Sequence, residues 1–178
     1  MMRRLGVLVG ALAILVVLAA AYKRDPLTTA EIDQLRDTAM EPDTRLKLYV
    51  KFARARLTTL EEKRNDPKVS DRGQVTHDGL EDFLAVYDEL NDNIDMYVDR
   101  KDDIRKPLKA VIEADTEFQA KLRGLDNAAG TTPQEKKEYQ FVLSNAIETL
   151  DSSADDHRKL MGEQEEAAKH KKKAAKGQ

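Results

Sequence analysis

Apolar positions along the chain fall into four stretches. Residues 5–21 form an unbroken apolar run behind a short basic start at Arg3 and Arg4. From residue 28 onward the pattern becomes amphipathic with helical spacing. Thr28 and Glu31 make a capping box, and Leu27 and Ile32 are placed as its hydrophobic staple. Ile32, Leu35, Ala39, Leu46, Tyr49, Val50, Ala53, Leu57 and Leu60 then recur at near-helical intervals. Pro42 should kink or split this region. Residues 66–75 read as a loop, with Thr76 or Asp78 capping the next helix.

The second helical region has the most regular pattern. Alternate steps of three and four run Leu80, Phe83, Tyr87, Leu90, Ile94, Tyr97, Lys101, Ile104, Leu108, Val111, Asp115, Phe118, Leu122 and Leu125. Only Lys101 and Asp115 are not apolar. The phase holds across Pro107, which predicts one bent helix of about 48 residues, on the order of 70 Å long. Gly124 is a stop, followed by a loop. Thr132, Pro133 and Glu135 combine an N-cap, a proline at N1 and a capping-box acid. The third helix carries Tyr139, Leu143, Ala146, Leu150, Ser153, His157, Leu160 and Gln164 on its seam. No segment alternates as a strand does. The expected fold is all-α: an antiparallel bundle of three long helices, four if split at Pro107, with coiled-coil-like seams, behind an N-terminal apolar signal or anchor helix. The domain division is 1–24 signal peptide or membrane anchor, 25–168 bundle, and 169–178 a basic tail expected to be disordered.

Composition agrees with long helices. Of 178 residues, 40% are hydrophobic and 35% charged, with 5% aromatic, 8 Gly and 5 Pro, a mix unsuited to sandwiches or Rossmann sheets. Cys is absent, which excludes disulfides, thiolate metal sites and a cysteine nucleophile. The net charge of −3 conceals three zones. Residues 1–24 carry +4 and residues 169–178 carry +5, leaving 21 bases against 33 acids, or −12, between them. An acidic body does not bind nucleic acid over its surface, so no nucleic-acid partner is expected.

The run 5–21 is an export signal that also reaches the lower limit of a spanning helix. A retained anchor places the body outside the cytoplasm, in a periplasm-type compartment. Cleavage after Ala21, at the small-x-small pattern, would instead release a soluble exported form.

Charge suggests a register. With the first hairpin centred near residue 70, residue i faces about 141 − i. Arg45, Lys47, Lys51, Arg54 and Arg56 then lie against Asp88, Glu89, Asp92 and Asp95. With the second hairpin centred near residue 128, Lys101 faces about residue 156 and would meet the carboxylates of Asp155 and Asp156. Lys101, Asp115 and His157 are the structural polar positions of the seams. Asp115 would mark a place where the seam meets water.

Candidate chemistry is sparse. His77, His157 and His170 do not form a HExxH or Glu-x-x-His ligand set, and Asn91, Asn93, Asp95 and Asp102 lack the turn glycine of a calcium loop. No phosphate-cradling glycine loop or nucleophile elbow occurs. The expectation is no enzyme, no metal and no cofactor. Lys169, Lys171, Lys172, Lys173 and Lys176 are the candidate partner-binding tail. The functional expectation is an interaction or scaffold protein of the cell envelope, held by residues 5–21 and engaging a protein through a helical surface or the tail. The alternative is an extracytoplasmic sensing bundle that holds a small molecule between helices, beside Lys101, Asp115 or His157.

Overall fold

Each helix begins where a local signal satisfies its first amides. The computed structural model describes residues 25–176, which form five helices. Thr28 caps α1 (Thr29–Asp37): its hydroxyl accepts from the Glu31 amide at 3.3 Å, and the Glu31 carboxylate accepts from the Thr28 amide at 2.8 Å. Pro42 splits the first region by starting α2 (Pro42–Asn65), where its missing N–H costs nothing. The cap of α3 (Arg72–Asp99) is Asp71, which accepts from the Gln74 amide at 3.0 Å. The expected caps Thr76 and Asp78 lie inside the helix. The Thr76 hydroxyl is buried there and donates to the Arg72 carbonyl at 2.6 Å. Thr132 caps α5 (Pro133–Lys176) as expected, accepting from the Glu135 amide at 3.1 Å.

The expected 48-residue helix is two helices, and the break is not at Pro107. After α3 the chain turns through residues 100–104 and resumes as α4 (Arg105–Asp126). Lys101 takes the left-handed conformation at φ 62°. Its amide donates to the Val98 carbonyl at 2.9 Å, and the Asp102 amide donates to the Tyr97 carbonyl at 3.0 Å. This is a Schellman ending with lysine at the position usually held by glycine. Pro107 sits in the first turn of α4, where an amide has no intrahelical acceptor to lose.

Polar contacts give the direction of each helix. Arg45 of α2 donates to Asn93 of α3 at 2.7 Å, and Arg64 reaches Thr76, so these two helices are antiparallel. The expected register placed residue 96 opposite Arg45, a displacement of less than one turn. Tyr87 meets Asp115, and Phe83 packs edge-on against Phe118 at 5.4 Å, so α4 doubles back across the core from α3. It runs parallel to α2, bridged by Lys106 to Asp43 at 2.8 Å and Lys121 to Glu61 at 2.7 Å. α5 is antiparallel to α4 and parallel to α3, with Asn91 donating to Ser153 at 3.0 Å. The result is a four-helix bundle in which α3 and α4 occupy opposite corners, as do α2 and α5. α1 folds back along α2 and packs on it alone.

The seams meet in one core that includes Leu46, Tyr49, Leu80, Phe83, Tyr87, Ile104, Leu108, Phe118, Tyr139 and Leu150. Burial of each large apolar side chain contributes about 1.5–3 kcal/mol, so this core supplies most of the folding free energy. The charges of α2 do not all meet α3 as expected. Arg54 instead pairs with Glu117 of α4 at 2.9 Å, because α4 lies along the other side of α2.

Among the described residues, no helix is long and apolar enough to cross a membrane. Residues 1–24, on which the signal or anchor expectation falls, lie outside the described residues.

Candidate functional site

Asp115 does not meet water. It is 0% exposed, in the middle of α4, and two other helices bring partners to it. The Tyr87 hydroxyl donates to Asp115 Oδ1 at 2.7 Å, and His157 Nδ1 lies 2.9 Å from Oδ2. Tyr87 and His157 are one heptad step from large apolar neighbours on their own seams, which turns both inward. Burial, and then the negative charge of Asp115, push the Tyr87 hydroxyl far above the usual tyrosine range. The Tyr87 ring stacks on Phe83 at 5.7 Å, which fixes its position. Three polar groups from α3, α4 and α5 therefore hold one another inside the apolar core.

Of the expected polar seam, the structure joins Asp115 and His157 and leaves Lys101 out. Lys101 is exposed in the turn between α3 and α4, since the chain reverses where a continuous helix would have pointed it inward. The partner sequence reasoning missed is Tyr87, which reads as an ordinary aromatic seam residue. A phenol facing a polar seam position was the available signal.

His157 is 4% exposed and lines an open groove of about 340 Å³ between α3 and α5. Ile94, Val98 and Leu160 form its apolar part, and Asp95, Asp156, Lys159 and Glu163 stand around it. A second open groove, between α4 and α5, is lined by Arg105, Lys106, Lys109, Ile112 and Met161 among others.

The basic end is a helix, not a separate tail: α5 continues through Lys176. Among the described residues, its last hydrogen bonds to the rest of the fold are made by Gln164, which accepts from the Ile104 amide at 3.0 Å and donates to the Asp102 carbonyl at 3.1 Å. The helix then goes on for about 18 Å. Lys169, Lys172, Lys173 and Lys176 follow the i, i+3, i+4, i+7 spacing of one helix face. Lys171 lies off that face, near enough to Asp103 to help hold its carboxyl down, although the Arg105 hydrogen bond is the main cause of its lowering to about 2. Lys169 pairs with Glu166 at 2.6 Å. His170 is exposed beside these lysines.

Three arginines of α2 have roles that charge counting did not reveal. Arg45 donates to the Leu35 carbonyl at 2.6 Å, closing the end of α1. Arg56 holds Glu31 at 2.6 Å and the Pro26 carbonyl at 2.7 Å. Arg64 is buried and joins Thr76 to Glu135, 3.0 Å away, with the Tyr139 ring beneath it. His77, Asp78 and Glu81 can bring ligand atoms within 4.8 Å of one another. Asp78 and Glu81 are exposed on α3, and His77 beside them is half-buried.

Comparison with protein-family models, curated proteins and solved structures finds no match.

Proposed function

We propose that the chain is an interaction or scaffold protein of the cell envelope, tethered by residues 5–21 and working through helical surfaces. One observation carries the reading: α5 outruns the bundle that supports it. Its end beyond Gln164 contributes little to the core, yet it keeps a face of lysines in helical register. Stability alone does not account for such an extension, since exposed charges add about 0–1 kcal/mol per pair. A projecting basic helix does suit contact with an acidic protein surface. It has alanines and no aromatics beside its lysines, so charge would supply the attraction.

The position of α1 supports the tether. Arg56 holds the Pro26 carbonyl against the side of α2, so residue 25 leaves the bundle part-way along its length. The lysines project past the opposite end of α2, beyond its start at Pro42. With the bundle upright on a bilayer, the basic helix would then be the part reaching furthest out.

The test uses the full chain in native membranes, with a photo-reactive residue at position 171. The reading expects membrane retention through a high-salt wash and a discrete cross-linked protein. It expects that product to fade when Lys169, Lys172, Lys173 and Lys176 become Gln, without change in unfolding. An N-terminus found at Tyr22 contradicts the tether, and an unaltered cross-linked product contradicts the role of the lysines.

A further inference from the structure

The groove between α3 and α5 is lined by the buried His157 and, around it, by exposed carboxylates. Asp115 already accepts from Tyr87, and its second oxygen accepts from His157 Nδ1 in the tautomer that carries its hydrogen there. In that tautomer the imidazole offers Nε2 as a lone-pair acceptor, held at a fixed angle by two buried groups behind it. Asn91 uses its amide NH2 on Ser153, while its Oδ1 is buried without a hydrogen-bond partner. That oxygen has no accessible surface, so Asn91 walls the groove beside His157 and is not itself an acceptor for a ligand. Around His157 stand Asp95, Asp156 and Glu163, with Lys159 as the one cation among the described lining residues.

Apolar surface runs beside the polar groups. Ile94, Val98 and Leu160 line the same groove, whose volume of about 340 Å³ is at the small end for a ligand site. A ligand that suits it carries donors and positive charge at one end and a short methylene chain at the other. We infer that this groove binds an alkylammonium group: a primary amine donating to His157 Nε2 between the carboxylates of Asp95 and Glu163, with its methylenes on Val98 and Leu160. The ammonium would come from a free aliphatic diamine or from a lysine side chain of a protein. The inference is independent of the basic helix and of the tether.

Titration of the full chain tests it, read by the side-chain NMR resonances of His157 and Asn91. The probes are 1,5-diaminopentane for the free amine, Nα-acetyl-lysine N-methylamide for the lysine side chain, and 1-pentanol as a neutral chain. A saturable shift of both resonances with at least one amine, and none with the alcohol, is expected; the tighter amine identifies the source. Asp95→Asn with Glu163→Gln changes only exposed carboxylates and should weaken binding by about fivefold with the fold intact. His157→Gln should abolish the Asn91 shift. No saturable shift with either amine at millimolar concentration would overturn the inference. So would an equal response to 1-pentanol, or unchanged affinity in the double variant.

Discussion

A buried carboxylate is costly unless neighbours repay its lost hydration, and Asp115 has two such neighbours. Removing one partner leaves the other buried and unmatched, so the losses should not add. Asp115→Ala and His157→Ala are each expected to lower stability by about 3 kcal/mol, and the double variant by clearly less than the total. Denaturant unfolding of the four proteins checks this, and additive losses would show that the groups do not act together. Tyr87 adds a pH signature. Its folded-state ionisation lies above that of an unfolded tyrosine, so its contribution is complete below about pH 10 and is lost as pH rises beyond that. Tyr87→Phe should remove up to about 1.4 kcal/mol per pH unit from the decline in stability above pH 10.

At the scale of elements, the turn between α3 and α4 was the least legible feature, and the reason lies in particular residues. Ile104 and Leu108 are buried in the bundle just as they would be on one continuous seam, so the heptad count ran straight through the break. The clue was the unbroken charged stretch 99–103, which no seam could bury. Caps were read more reliably, at Thr28 and Thr132, because each satisfies its amides locally. Lys101 occupies a left-handed position that costs a non-glycine residue about 1 kcal/mol, so Lys101→Gly should raise stability by roughly that amount and Lys101→Val should lower it. α1 should also respond to acid. Burial alone would raise the Glu31 carboxyl, but Arg56 and the Thr28 amide together hold it below its usual range. A lowered folded-state value gives stability that is present above about pH 4.5 and lost as pH falls through the folded value. Carbon chemical shifts of residues 29–37 should therefore lose helical character as pH falls below about 4.5, before the bundle does. An α1 that persists until global unfolding would refute this.

For the whole molecule, periodicity revealed the helical class and the first hairpin, because both follow from local spacing. Which helices become neighbours depended on the reversal at residues 100–104, and with it changed the partner of Arg54, the exposure of Lys101 and the burial of Asp115. The projecting end of α5 should be dispensable for folding: deleting residues 165–178 should shift stability by less than about 0.5 kcal/mol. The polar cluster, the α3–α5 groove and the overhang all rest on the same reversal. A distance between spin labels at Glu81→Cys and Thr116→Cys tests it most directly, in a chain with no native cysteine. Opposite corners of a four-helix bundle put these positions within about 7 Å of the same height, about 15–25 Å apart including the labels. A single bent helix would place them about 50 Å apart, and a measured distance near that value would contradict the account.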